Sequence, residues 1–589
     1  MSLRATGSED LSARAMRLAR DGLVGLAIAV VVVEFFGAGA LGGAARDVVH
    51  ATLVFVNTAV TLVTVRAAAR AARDRGEPLF ASIFAARGPA MLTVAAALVL
   101  VGPAPRIAGT FCVVHVGSAF AATWSRGETG QRFLLAITKN PLRALALSFA
   151  SVIAMATVLL MSPAATVDGR GASFVTALFT STSAVCVTGL AVVDTGTAFT
   201  MFGQSVILLA VQLGATGVMI LAAGFAVLVG GDIPFAKSAR GLEVLHEAAH
   251  ASGLRRLVAA VVGGALITEL AGTLALFALW STGGLTLPER YDDALSALYW
   301  SFFHAVSAFA NAGFALQSDS LSMFVENPVA CGVFALLITL GGLGFVVLSD
   351  VVRVVRAHPS SLRDAALALS LQAKVVLSTS LALFVAGTIS FLFFEYDGAL
   401  SALSEGDKLV AAMFQSVTFR TAGFNTVPFG ALAGPTVVIA IALMFIGASP
   451  GGTGGGLKTT TFAVVVMSVR AMLRNRPEVE LFHRTIPKAI VYRATAIVLI
   501  AGAVVALALT VMLALEPLPF EQIAFEVVSA FATVGLSMDV TPRLSSAGQL
   551  VLVVVMFAGR VGPLSLALAI GGRFQSERFR YAEGRIAVG

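Results

Sequence analysis

The sequence predicts an all-α polytopic membrane protein. It consists of four M1–P–M2 pseudo-repeats around one pore (long helix, short helix, glycine loop, long helix), preceded by about four extra N-terminal transmembrane helices. Three observations carry this. The 589 residues are 57% hydrophobic and only 12% charged, with a mean hydropathy of +0.90, whereas a soluble globular chain averages roughly 25% charged. Apolar runs of about 20 residues recur along the chain, the length that crosses a bilayer. Finally, four segments vary one pattern: Ser183-Ala-Val-Cys-Val-Thr-Gly189, Ser307-Ala-Phe-Ala-Asn-Ala-Gly313, Val417-Thr-Phe-Arg-Thr-Ala-Gly423 and Ser529-Ala-Phe-Ala-Thr-Val-Gly535. Their terminal glycines are 124, 110 and 112 residues apart.

Residues 1–138 carry apolar runs near 23–42, 48–66, 87–103 and 106–124, the last two joined through Gly102-Pro-Ala-Pro105. The first run lacks a convincing cleavage site and reads as a retained span. The four units then occupy 139–232, 233–358, 359–475 and 476–589. Their first long spans are predicted near 142–161, 254–281, 366–394 and 487–515. The short helices fall near 172–184, 293–308, 407–418 and 520–531, and the second long spans near 201–229, 327–356, 434–473 and 545–572.

Charge supports this layout independently. Lys and Arg cluster in alternate loops: Arg4 to Arg20, Arg66 to Arg75, Lys139 and Arg143, Lys237 to Arg256, Arg353 to Arg363, Arg470 to Lys488, and Arg573 to Arg585. By the positive-inside rule these loops and both termini are cytoplasmic, in a plasma (inner) membrane. The same rule requires an even number of spans before the first unit. The opposite side is mostly acidic, with Asp194, Asp292, Asp293, Asp319, Glu326, Glu395, Asp397, Glu405, Asp407, Glu516, Glu521 and Asp539. Such a surplus would concentrate cations at an outer mouth, although a merely solvated surface would look the same. The net charge of +7 is thus explained by lipid orientation, not nucleic acid. Cys112, Cys186 and Cys331 lie in apolar sequence, which argues against a disulfide framework.

Irregular backbone at membrane depth is tolerated only where it is buried in protein or lines a watery path. Glycine lets backbone approach an ion closely, and each short helix would aim the negative end of its dipole inward. A ring of carbonyls on that axis replaces the water shell of an alkali cation. Helix-packing glycines are the bland alternative, but four copies at matching places argue against it. In the third unit, Gly447 to Thr461 contains six glycines and a proline, so a continuous helix is implausible there. Two half-helices with an intramembrane loop at 448–461 are expected, placed to block the path. Lys458 and Arg560 are cations at membrane depth, functional suspects unless they snorkel to the cytoplasmic edge.

The chain resembles the Trk/Ktr/HKT superfamily of potassium transporters over about 139–575, most like the Ktr-type pore subunit. The resemblance rests on Thr182 to Thr195, Ser307 to Phe314, Phe419-Arg-Thr-Ala-Gly-Phe-Asn425, the run Gly447 to Thr461, and Arg560 within Ala-Gly-Arg-Val-Gly-Pro563. It implies potassium uptake past a four-part filter, with one glycine per unit favouring potassium. By position, the filter backbone is Cys186, Val187, Thr188 and Gly189; Ala310, Asn311, Ala312 and Gly313; Arg420, Thr421, Ala422 and Gly423; and Ala532, Thr533, Val534 and Gly535. Val185, Phe309, Phe419 and Phe531 would support it from below. Gly451, Gly452, Thr453, Gly454, Gly455, Gly456 and Lys458 form the gate, which Arg560 helps hold closed. The resemblance also implies a homodimer and a cytoplasmic ring of nucleotide-binding regulatory subunits. No cofactor is expected in this chain beyond the transported K+.

Alternatives of other kinds are a sodium or weakly selective pathway of the same fold, and a coupled secondary transporter, which broken helices also permit. The glycine run is no Walker A motif, because Leu457 separates Gly456 from Lys458. His246-Glu247-Ala248-Ala249-His250 matches a zinc-protease signature literally. An amphipathic cytoplasmic helix explains it better, and no third ligand is evident, so no enzyme is expected. Glu269 lies inside a span with an open role. The span at 106–124 has only Arg106 at its edge, so no voltage sensor is expected there.

Overall fold

The computed structural model describes residues 141–229 and 251–562. The four N-terminal spans, Lys237, His246, Glu247, His250 and the tail beyond 562 lie outside the described residues. The first unit contains α1 (Pro141–Leu160), α2 (Phe174–Val185) and α3 (Met201–Val229). The second contains α4 (Ala251–Ser281), α5 (Ala294–Ala310), α6 (Pro328–Leu343) and α7 (Phe345–Arg356). After α8 (Leu362–Ala368), the third contains α9 (Leu371–Glu395), α10 (Glu405–Thr418), α11 (Gly434–Phe445) and α12 (Thr459–Leu473). The fourth contains α13 (Lys488–Leu515), α14 (Phe520–Ala532) and α15 (Ser546–Val561).

Among the described residues, Met201–Ile220, Val258–Ser281, Leu371–Glu395 and Lys488–Leu515 are long and apolar enough to cross a membrane as single helices. Outward-facing leucines such as Leu270, Leu381 and Leu507 are exposed on them, as a lipid-facing surface requires. The short helices α2, α5, α10 and α14 are the buried centre. Phe179, Trp300, Phe303, Phe414, Phe525 and Phe531 fill the space between them in one continuous core.

Caps fix where these helices begin. Ser173, Asp293 and Ser404 accept from the first-turn amides of α2, α5 and α10, satisfying donors that no helix can satisfy internally. Two of the acids expected on the outer side are structural rather than exposed. Glu395 accepts from Ala433 N at 2.9 Å, just ahead of α11, and Glu516 accepts from Ser545 N at 3.0 Å, just ahead of α15. Both carboxylates are buried, so they do not contribute to a cation-attracting mouth.

Two expectations are corrected. The run 327–356 is not one continuous helix: it breaks at Gly344 into α6 and α7, bent by 104°. Gly344 has φ +86, and a Cβ there would lie 2.7 Å from the Gly451 carbonyl carbon. That φ is not helical, and the loop containing Gly451 packs directly against the break. The first span of the third unit starts at Leu371, capped by Ser370, with α8 separate from it. The fold is all-α apart from one small antiparallel hairpin, β1 (Val479–Leu481) and β2 (Arg484–Ile486), between α12 and α13.

Candidate ion-conduction site

The four glycine segments close into a ring. A Cβ on Gly189 would overlap the Ala312 carbonyl oxygen, one on Gly423 that of Val534, and one on Gly535 that of Thr188, while on Gly313 it would lie 3.1 Å from Ala422 O. The first segment thus abuts the second, the second the third, the third the fourth, and the fourth the first. Each glycine has positive φ: +94, +68, +82 and +92 for Gly189, Gly313, Gly423 and Gly535. Two residues earlier, Val187, Asn311, Thr421 and Thr533 are also left-handed, with φ of 58, 59, 72 and 51. Alternation between the two handed regions turns successive carbonyls to one side. Non-glycine residues rarely adopt this conformation, and it persists only where the surroundings enforce it.

The enforcing bonds can be named. Ser183 Oγ accepts from Gly189 N at 3.0 Å and Ser529 Oγ accepts from Gly535 N at 3.2 Å. Thr188, Ala312 and Val534 each donate their amide to the carbonyl of the serine five residues back, at 2.7, 2.8 and 2.8 Å. The third segment differs: its Val417 has no hydroxyl, and Ala422 N instead bonds Thr418 O at 3.0 Å. Arg420 directs its guanidinium away from the ring, to the Ser380 hydroxyl at 3.0 Å and the Ser380 carbonyl at 3.3 Å on α9. Its charge therefore stays off the axis. Cys186 is buried and free.

Sequence reasoning missed Gly214, Gly341 and Gly559 on the second long helices. A Cβ on each would overlap the carbonyl oxygen of Val185, Phe309 and Phe531 respectively, so bare backbone lets those helices press against the base of three segments. The signal was present, since each of these glycines follows its ring glycine by 24 to 28 residues.

Beneath the ring lies the loop between α11 and α12. Residues Gly451 to Gly455 are buried. A Cβ on Gly454 would overlap Thr421 Oγ1, and one on Gly455 would overlap Thr533 Oγ1, so the loop touches the undersides of the third and fourth segments. Thr453 Oγ1 donates to Phe309 O at 3.2 Å. The broken second-unit helix grips it from the side: Ser449 N and Thr453 N donate to Gly342 O and Gly341 O, both at 3.1 Å, and Phe345 N donates to Gly451 O at 3.3 Å. Arg560 is buried and donates to Thr453 O and, at 3.2 Å, to Gly214 O. Lys458 Nζ donates to Gly454 O at 2.7 Å. Both cations are tied to carbonyls of the loop. Glu269 accepts from Gln212 Nε2 at 3.1 Å, joining α4 to α3. Among the described residues, no group of three metal-ligating side chains gathers.

Residues 123–579 match the family model described as a cation transport protein, TrkH. The chain belongs to the TrkH family of cation transport proteins. This is a family of transporters, not enzymes. The chain is 38% identical over 452 residues to the Ktr system potassium uptake protein B of Bacillus subtilis, covering 76% of this chain and 97% of that one. It is 37% identical over 449 residues to the protein of the same name from Vibrio alginolyticus, with 76% and 94% coverage. A potassium/sodium uptake protein, NtpJ, of Enterococcus hirae is 33% identical over 464 residues, with 76% and 97% coverage. The crystal structure of the potassium transporter TrkH from Vibrio parahaemolyticus superposes with a TM-score of 0.61 at 17% identity, over 81% of this chain and 94% of that one. That likeness shows the TrkH fold.

Proposed function

We propose that this chain performs potassium uptake as the ion-conducting component of a Ktr-type system, the activity for which its Bacillus and Vibrio relatives are named. The observation that carries the mechanism is the closed ring of Gly189, Gly313, Gly423 and Gly535, each glycine packed against the carbonyl of Ala312, Ala422, Val534 or Thr188 in the adjoining segment. Sixteen residues supply the filter backbone: Cys186 to Gly189, Ala310 to Gly313, Arg420 to Gly423 and Ala532 to Gly535. Oxygens of peptide bonds replace the hydration shell of the ion, so widely different side chains serve equally. The C-terminal ends of α2, α5, α10 and α14 each add roughly half a negative charge near the ring.

The loop from Gly451 to Lys458 is the gate, held shut by Arg560 and by the Gly341 and Gly342 carbonyls. Potassium then flows inward down its electrochemical gradient once the loop withdraws. Both termini are cytoplasmic, the pore subunit is a homodimer, and a cytoplasmic nucleotide-binding ring controls it; a relative named as part of a system supports more than one component.

⁸⁶Rb⁺ flux into proteoliposomes tests this, with the native chain beside Gly189→Ser and a deletion of 451–456. Potassium preference in the native chain, lost in the serine variant, with raised flux in the deletion, is the expected result. Flux unaffected by the serine change sinks the filter assignment. The potassium/sodium relative favours one second reading, a pathway that also admits sodium. Competition of Na⁺ against ⁸⁶Rb⁺ at equal concentration decides it.

A further inference from the structure

A crevice of about 500 Å³ opens between α6, α9 and α10, reaching Asn311 and Arg420 at its inner end. Its size is that of a small-molecule site. Its mouth is apolar, with Leu336, Leu381 and Met413 exposed at 58%, 63% and 41%, the surface a lipid-facing opening requires. One face of α6, from Pro328 to Leu343, forms its length; at 1.5 Å per residue that is roughly 24 Å. The walls are apolar except for Thr339, Ser380, Asn311 and, with a full charge, Arg420.

Arg420 is the unusual member. A guanidinium at membrane depth ordinarily has a carboxylate or several carbonyls as partners. Here its hydrogen bonds go to a single neutral residue, Ser380, and its Nε has no partner. None of the lining residues is acidic, and Arg420 takes part in no ion pair among the described residues. A charge so placed lacks its complement, and leaving a charge unpaired in a low dielectric is costly. The missing complement must be anionic, and the surface that leads to it is hydrocarbon.

We infer that this crevice binds a long-chain carboxylic acid, its carboxylate on the Arg420 guanidinium and its chain along the walls of α6, α9 and α10. Guanidinium and carboxylate match geometrically as a two-point pair. A phospholipid fits less well, because its phosphate stays at the headgroup level whereas Arg420 sits beside the ring of glycine segments. Ala448 and Gly342 also line the crevice, so an occupant touches the same wall that holds the loop.

The test reads binding, so it can fail without touching the ion-conduction reading. Purified full-length protein in detergent is titrated with oleate and, separately, with oleyl alcohol, and bound ligand is counted by native mass spectrometry. One oleate per chain is expected, bound roughly tenfold or more tightly than the alcohol, the scale of one charge-assisted hydrogen bond. Arg420→Lys should keep that preference and Arg420→Gln should erase it. Gly332→Trp should lose both ligands, since Gly332 lines the crevice and a Cβ there meets nothing within 4 Å, leaving room for the indole to fill it. Equal affinity for oleate and alcohol overturns the proposal in favour of a neutral lipid tail. Arg420-dependent binding of phosphatidylglycerol without oleate binding overturns it in favour of a headgroup. Oleate binding undiminished in Gly332→Trp places the ligand elsewhere and also overturns it.

Discussion

The ring and the loop beneath it solve different problems with different symmetry. Every unit gives the ring the same thing: a short helix, a left-handed residue, a glycine and the carbonyl before it. The side chains at equivalent places are unrelated, since Val187, Asn311, Thr421 and Thr533 share one backbone conformation and little chemistry. The loop comes from one unit alone, yet it bonds to the others through named side chains and carbonyls: Phe309, Gly341 and Gly342 of the second, and Arg560 of the fourth, which also reaches Gly214 of the first. Surrounding an ion requires contributions from all sides, and backbone can supply them four times over. Occupying an axis requires only one segment, and that segment is held by backbone bonds to the second unit together with one side chain, Arg560, from the fourth.

The sharpest way to break this comparison is to substitute the ring glycines one at a time with alanine. Gly189, Gly423 and Gly535 should lose potassium selectivity by an order of magnitude or more, because each Cβ would overlap a neighbouring carbonyl, and left-handed backbone costs a non-glycine residue roughly 1–3 kcal/mol. Gly313, whose Cβ would lie 3.1 Å from the nearest carbonyl oxygen, should lose least. Reversal potentials in mixed potassium and sodium solutions read the order, and an equal loss at all four positions would contradict the geometry.

Next in size is Arg560→Ala. Each hydrogen bond to a charged donor contributes roughly 1.5–3 kcal/mol, so losing those to Thr453 O and Gly214 O should raise basal ⁸⁶Rb⁺ flux at least tenfold with selectivity unchanged. A change in selectivity instead would merge the two regions that the structure separates. Gly344→Ala should act more mildly in the same direction, since its Cβ would press on Gly451 and loosen the grip of the broken helix. Flux at or below the native level would mean that the break merely accommodates the loop.

The smallest effect is expected at Asp293, which caps α5 through Leu295 N and Ser296 N. Its hydrogen bond from the Ser296 hydroxyl, then that from the Ser296 amide, hold its carboxyl below the ordinary value of 3.8. A depressed value means that the cap contributes above that ordinary value and fades as pH falls through the lower folded one. Asp293→Ala should therefore lower the melting temperature slightly at neutral pH, with the difference shrinking under strong acid and selectivity untouched throughout.

What the sequence made legible follows the same division. The short helices and the glycine segments were readable because four copies check one another. The loop at 448–461 was readable because six glycines and a proline from Gly447 to Thr461 rule out a helix by themselves. The break at Gly344 was not, because the run from Pro328 to Arg356 is apolar nearly throughout, and what packs against the break is a segment over a hundred residues away. Glu395 and Glu516 were misread as surface charge for a similar reason: their partners, the amides of Ala433 and Ser545, belong to other loops. The direction of the Arg420 side chain is likewise set by Ser380 on another helix.

Lys458 has a consequence of its own. Its ammonium is fastened to the Gly454 carbonyl, so it is part of the loop and travels with it. A segment that carries charge inside a bilayer does electrical work when it moves, about 2.3 kcal/mol for one elementary charge through a full 100 mV. A displacement through a tenth of that field corresponds to a few tenths of a kcal/mol. Opening should therefore respond weakly to membrane potential although the chain has no arginine-studded sensor helix among its described residues, and Lys458→Gln should flatten the response of open probability to stepped voltage.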